Sequence, residues 1–472
     1  MMNRPSDTPV SNFSASLNMN TVGAHRTGVL VYAHKITNRI RFVFRLFLRD
    51  HLGLEVEFTD KPETFIARSG PKISYAQSPL ADELFFFNRN LLFESGIKEQ
   101  NISVFAWEKH KVFFAAGKSS ALPFDPFACA FYLVTRYEEY LPHIRDRLDR
   151  FDAHSSLAWE HGFLEIPVVN HWILLVGDLL RKRYPEIAIT QRRYTFTPTI
   201  DIDNAYAYKL KGIMRSTGGY ARALVHFDIN DIRKRTRVLF FREKDTYDTY
   251  GYQLSVQKKY GYKPIYFFLL GDYGVNDKNI SPQNRKFHEL IRSLSDYAHV
   301  GIHPSFGSNT DHTKLSVEIS RLKNIVHGDI TRSRQHFLMM KFPETYRNLA
   351  EKDITDDYSM GFANEIGFRA GICTPFNFYD LDNESETNLK IHPFPVMDAT
   401  LNLYMKLSPE AAIERVKKIT QSVREVNGDM MIVWHNETLS EDKQWEGWRK
   451  VYESIIEDAC TDYPVGQDVT AK

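Results

Sequence analysis

The sequence predicts an α/β fold: a mixed α/β unit first, then an irregular (β/α) barrel of about seven strands. Three observations predict it. From about Arg193 onward, short apolar runs alternate with amphipathic stretches of helical length, the rhythm of parallel strands covered by helices. Most of the runs are largely apolar, as strands buried on both faces require. The 472 residues also exceed what one ordinary core organises, so two units are expected.

Residues 1–25 are polar and rich in Ser and Asn, and read as a flexible tail. Residues 26–190 form the first unit, whose role the sequence leaves open. Strands are expected at Val29-Leu30-Val31-Tyr32 and Val104-Phe105-Ala106-Trp107, and helices at 38–50, 126–140 and 168–183. It contains no cluster of chemically active side chains. Residues 191–472 form the second unit, with strands expected at 194–202, 264–270, 299–303, 332–338, 367–372, 394–399 and 430–435. Helices are expected at 282–296, 314–327, 408–427 and 446–460. The third of these starts at Ser408-Pro409-Glu410, an N-cap with proline in the first turn, and stops at Asn427-Gly428. An insert at about 206–260 carries Lys209, Lys211, Arg215, Arg222, Arg233, Lys234, Arg235 and Arg237. A loop on the strand-end face can shape a groove for an acidic glycan, but a solvated helical hairpin is the simpler reading.

Lys plus Arg (60) nearly equals Asp plus Glu (59), so no global field attracts nucleic acid. Cys129, Cys373 and Cys460 lie far apart and form neither a disulfide framework nor a thiolate zinc site. No stretch reaches the ~20 apolar residues of a transmembrane segment, and no signal peptide is seen. A cytoplasmic protein is expected. The oligomeric state leaves no trace in the sequence.

The chemistry gathers where the expected strands end. The first run closes Thr199-Ile200-Asp201-Ile202-Asp203 and the third Gly301-Ile302-His303. Then come Ser333-Arg334-Gln335-His336, Phe368-Arg369, Met397-Asp398 and Val433-Trp434-His435. Any one aspartate there reads as a helix N-cap, and any one histidine as a satisfied core residue. Six strands ending this way converge on one face of a parallel β/α architecture. Asp201 and Asp203, two apart, project to one side, and paired carboxylates call for a cation. Asp203, His303 and His336 offer three O/N ligands for a divalent metal, zinc by preference, with a fourth position open to water. Asp201 is then the catalytic base and Arg369 its ionic partner. His435 is the catalytic acid, and Asp398 orients its ring.

These motifs resemble the polysaccharide deacetylase family, also called the NodB homology domain or carbohydrate esterase family 4. Thr199-Ile200-Asp201-Ile202-Asp203 is similar to its first motif, Gly301-Ile302-His303 to its metal-histidine step, Phe368-Arg369 to its Phe-Arg motif, and Ile432-Val433-Trp434-His435 to its closing run. The resemblance spans roughly residues 195–456. It implies a NodB-like barrel, Asp201 as base, Asp203 and His303 as ligands, and a carbohydrate substrate. In two respects the chain departs. Gly307 stands where the family has a second metal histidine, a place His336 would fill as in a branch with an extra N-terminal domain. An export signal is also absent, so an intracellular glycan precursor is the expected substrate. The alternative is a catalytically inactive carbohydrate-binding or scaffold protein on the same fold. A glycosidase would leave three imidazoles unused.

Overall fold

The computed structural model describes residues 28–461; the expected tail at 1–25 lies outside them. Strands β1 (Gly28–Tyr32), β2 (Glu55–Thr59), β3 (Lys72–Ala76) and β4 (Leu84–Phe87) form a parallel sheet in the order β2-β1-β3-β4. A short antiparallel pair follows, β5 (Phe105–Trp107) with β6 (His110–Val112). The helix Pro126–Val134 is buried along its whole length. Asp125 caps it, accepting from the N–H groups of Phe127 and Ala128, and Pro126 fills the first turn.

The second sheet has nine strands: β7 (Thr195–Ile202), β8 (Ile265–Phe268), β9 (His299–Ile302), β10 (Arg332–Ser333), β11 (Asp356–Asp357), β12 (Phe376–Asp380), β13 (Ser385–Ile391), β14 (Val396–Met397) and β15 (Asp429–His435). Their order is β12-β13-β11-β10-β9-β8-β7-β15-β14, parallel except for the β12–β13 pair. The two edges, β12 and β14, are not hydrogen-bonded to each other among the described residues. Parallel β/α organisation is therefore present, and the strand count corrects the expected seven.

Residues 367–372, expected as a strand, are irregular. Gly367 and Gly371 sit at φ +131° and +65°, left-handed backbone that breaks the pleat. The segment's N–H groups go elsewhere, Gly367 to Pro395 O and Phe368 to Leu164 O.

Alternation in the strands separates two apolar faces. Ile265, Phe267, Met431, Val433 and Met397 pack into a small cluster with Tyr358 and Phe394. Tyr266, Phe268, Met430, Ile432 and Trp434 belong to the large core, which also takes in the first sheet and its helices. Gly301 shows how tight the inner face is. A Cβ there would lie 2.5 Å from the Phe267 ring and 2.8 Å from Arg332 O, so only glycine fits.

Polar groups also join the two halves. Arg39 bonds Glu384, Asn170 Nδ2 donates to Thr374 Oγ1 at 2.9 Å, and His51 Nε2 lies 2.5 Å from the same hydroxyl. Buried Glu139 lies between Arg136 and Arg369, and Arg136 also donates to Arg369 O. No helix among the described residues is long and apolar enough to cross a membrane.

His171, beside His110, is lowered to about 4 by burial and then by His110 and Lys109. The unfolded chain therefore takes up this proton near pH 6.5, whereas the folded protein resists it until about 4. The associated stability is present above 6.5 and lost as pH falls toward 4. Thermal unfolding followed over that window is expected to show a shallower acid loss in His171→Phe than in the wild type. Equal slopes would remove His171 from the account.

Candidate metal centre

β7 brings two carboxylates to its C-terminal end. Its neighbours place His435 of β15 opposite Asp201 on one side and Phe267 of β8 on the other. Asp201 is buried, whereas Asp203, one residue past the strand, is partly exposed. His303 follows β9 directly, and its Nε2 lies 3.2 Å from Asp203 Oδ1 and 3.9 Å from Asp201 Oδ2. His336 stands just past β10 with Nε2 3.5 Å from Asp203 Oδ2. One ligand atom from each of Asp203, His303 and His336 lies within 4.8 Å of the others.

The donor set fits a divalent cation. His303 Nδ1 donates to Arg334 O at 2.6 Å and His336 Nδ1 to Asp277 Oδ1 at 2.9 Å. With Nδ1 engaged in this way, each ring turns its Nε2 toward Asp203, the orientation that metal-ligating histidines adopt. Asp203 Oδ1 is buried and makes no hydrogen bond, an atom in need of a positive partner. The pocket's demand for positive charge is visible in His336. Burial opposes its protonation, yet the carboxylates of Asp203 and Asp277 push it up to about 9. Asp203 is held well below the usual carboxylate range; burial works against this, and His336 and His303 outweigh it.

Gly307, the position of the family's second histidine, has another task. Its N–H donates to Asp277 Oδ2 at 3.3 Å, and that of Phe306 to Oδ1 at 2.9 Å. The loop thus holds the carboxylate that orients His336.

On the far side, His435 Nδ1 donates to Asp398 Oδ1 at 2.8 Å, and its Nε2 lies 4.0 Å from Asp203 Oδ2. Asp398 is fully buried and also accepts from the N–H groups of His435 and Ala399 and from Thr438 Oγ1. Burial disfavours an imidazolium here, but Asp398 outweighs it and holds His435 well above the ordinary histidine range.

Arg369 does not meet Asp201. Its Nε and Nη2 go to Glu139, from the first half, at 2.8 and 2.5 Å. The left-handed glycines on either side turn the segment away from the strand ends. The guanidinium at Asp201 belongs to Arg334, whose Nη1 donates to Asp201 Oδ1 at 2.9 Å and to Thr199 Oγ1 at 2.6 Å. Fully buried, Arg334 lies over the Phe267 ring with its Cζ 4.6 Å from the centroid.

Two more groups escaped the sequence reading. Asp277 lies in a loop without periodicity, and only its place in space reveals it. Glu437, two residues past His435, is pushed up to about 7 by burial and then by Asp203. Its spacing from His435 was the one available signal.

At the mouth, Phe337 and Leu338 adopt φ of +57° and +55°, costly for side chains of this size. The Phe337 ring packs on His336 with centroids 4.1 Å apart and is 37% exposed. Arg150 of the first half holds this turn, donating to Phe337 O at 2.7 Å and to Tyr404 Oη at 3.1 Å. A cavity of about 540 Å³ opens at the opposite strand ends, lined by Thr195, Ile265, His299, Arg332 and Asp429, away from this chemistry.

Residues 29–185 match a family of unknown function, DUF7033. No curated protein matches the chain. Among solved structures, a Mycobacterium smegmatis protein assigned as a polysaccharide deacetylase is 12% identical, with TM-score 0.37 over 58% of this chain and 85% of its own. A polysaccharide deacetylase from Bacillus cereus is 13% identical, with TM-score 0.29 over 60% and 95%. The allantoinase PuuE is 8% identical, with TM-score 0.33 over 58% and 93%.

Proposed function

We propose that the protein is a metal-dependent carbohydrate deacetylase, hydrolysing N- or O-acetyl groups on a polysaccharide or glycan precursor. The observation that carries this reading is the convergence of Asp203, His303 and His336, each histidine oriented through Nδ1, beside an arginine-paired Asp201 and an aspartate-paired His435. Asp203, His303 and His336 would hold the divalent ion, zinc by this donor set, leaving room for water. When bound, the ion supplies Lewis acidity and lowers the pKa of water toward ~7.

The remaining work belongs to side chains. Asp201, held by the Arg334 guanidinium, accepts the proton of the attacking water. His435 delivers a proton from Nε2 to the departing amine or alkoxide, while Asp398 fixes its tautomer. The role of base for Asp201 also follows from the motif resemblance. The first half, residues 26–190, supports the site through Arg150, which holds the turn beside His336.

Acetate release from acetylated sugars, measured before and after chelation, tests the proposal. Release that stops with chelator and returns with zinc is expected. Sugar binding with no release under any metal would instead mark a binding protein on this fold, the reading that Gly307 in place of a histidine favours.

A further inference from the structure

The insert after β7 is a helical hairpin with almost no core of its own. Helix Gly212–Val225 buries only Ala223, and helix Ile229–Phe240 only Val238. The two are nevertheless firmly paired. Asp228 caps the second helix, accepting from Asp231 N–H. Tyr220 Oη meets Thr236 Oγ1 at 2.9 Å, and Arg235 lies where a Cβ on Gly219 would be. The hairpin is braced against the segment that follows His435 by Lys234–Asp442 at 2.6 Å and Lys443–Asp228 at 3.3 Å. It therefore stands on the same side of the sheet as the metal centre.

Its outer surface is unusual for a solvated element. Of eighteen large apolar side chains exposed among the described residues, eight lie between Ile213 and Phe241. Met214 is 88% exposed, Phe227 87% and Phe241 75%. Leu224, Val225, Phe227 and Ile229 cluster at the tip, and Ile213, Met214, Phe240 and Phe241 at the base. Between Ala207 and Lys244 the chain also carries ten lysines and arginines against three acids, in a protein of net charge +1. Arg222, Arg233, Arg242 and Lys244 are exposed.

Apolar side chains interleaved with cations on a helical surface match the headgroup zone of an anionic bilayer. A second copy of the chain would bring the same positive patch against itself if the contact were isologous. Nucleic acid would engage the cations but leave the apolar tip in water. From this charge complementarity we propose that the hairpin 212–241 docks on anionic membrane surfaces, its apolar tip entering the interface and its cations lying at the lipid phosphates. The inference does not depend on the deacetylase reading.

The test is sedimentation of the full chain with vesicles of phosphatidylcholine alone and of equimolar phosphatidylcholine and phosphatidylglycerol. Binding is expected to the anionic vesicles only, weakening as salt is raised. Val225→Glu with Phe227→Glu changes two exposed side chains, so thermal unfolding should stay as in the wild type while vesicle binding is lost. Arg233→Gln should weaken partitioning about five-fold. Failure of the wild type to bind anionic vesicles overturns the proposal. So does undiminished binding by the tip variant. A wild-type dimer in solution that the tip variant abolishes would replace the bilayer with a second copy.

Discussion

The Asp201→Asn protein is expected to keep its bound metal and lose turnover by on the order of 10²–10⁴-fold, the usual worth of a positioned base. The amide retains the shape of the carboxylate but cannot take a proton from water. Metal content should persist, because Asp203, His303 and His336 are untouched. A second effect comes from Arg334, whose fully buried guanidinium would lose its ion pair with Asp201. Breaking a buried pair in this way costs roughly 3–5 kcal/mol, so a lowered unfolding temperature should accompany the loss of activity. Metal analysis, acetate release and thermal unfolding on one preparation separate these effects. Normal turnover in the variant would dismiss Asp201 as the base.

His336→Ala should strip the metal itself. The wild type is expected to hold about one divalent ion per chain through three ligands. The variant, reduced to Asp203 and His303, should lose it on dialysis, and with it all acetate release. Asp277→Asn acts one bond further out by loosening the hydrogen bond that orients the His336 ring. Partners at that distance typically change affinity about 10–100-fold, so this variant should still load at raised zinc concentration. Elemental analysis across a zinc series distinguishes the two. Full occupancy in His336→Ala would discard it as a ligand, and a wild type that never takes up metal would favour the sugar-binding reading.

How legible the centre was depended on how local each signal is. Asp201, Asp203, His303 and His435 each close an apolar run, and parallel pairing of β7 with β8 and β15 brings such ends together. Asp398 was readable for the same reason. The choice of arginine was not. Arg334 and Arg369 both stand near strand-like runs, and their acidic partners lie 133 and 230 residues away. Only the packing of the two halves decides between them. Asp277 belongs to a loop, where hydrophobic period carries no information. The strand expected at 367–372 failed on its glycines, whose φ values turn an apolar run into a bend. In the insert the helical hairpin was readable from composition; the surface its apolar residues present was not, because exposure is a property of what packs nearby.

Arg150 gives the first half a bearing on modularity. The proposed metal ligands, base and acid all lie between Asp201 and His435, so the second half looks portable, a unit that recombination could graft onto another partner. The contacts between the halves argue otherwise. A graft cut near residue 190 would leave Arg369 without Glu139, and the turn bearing His336 without the guanidinium that holds Phe337 and Tyr404. Separating the two halves would therefore disturb the turn beside His336 as well as the buried Arg369–Glu139 pair.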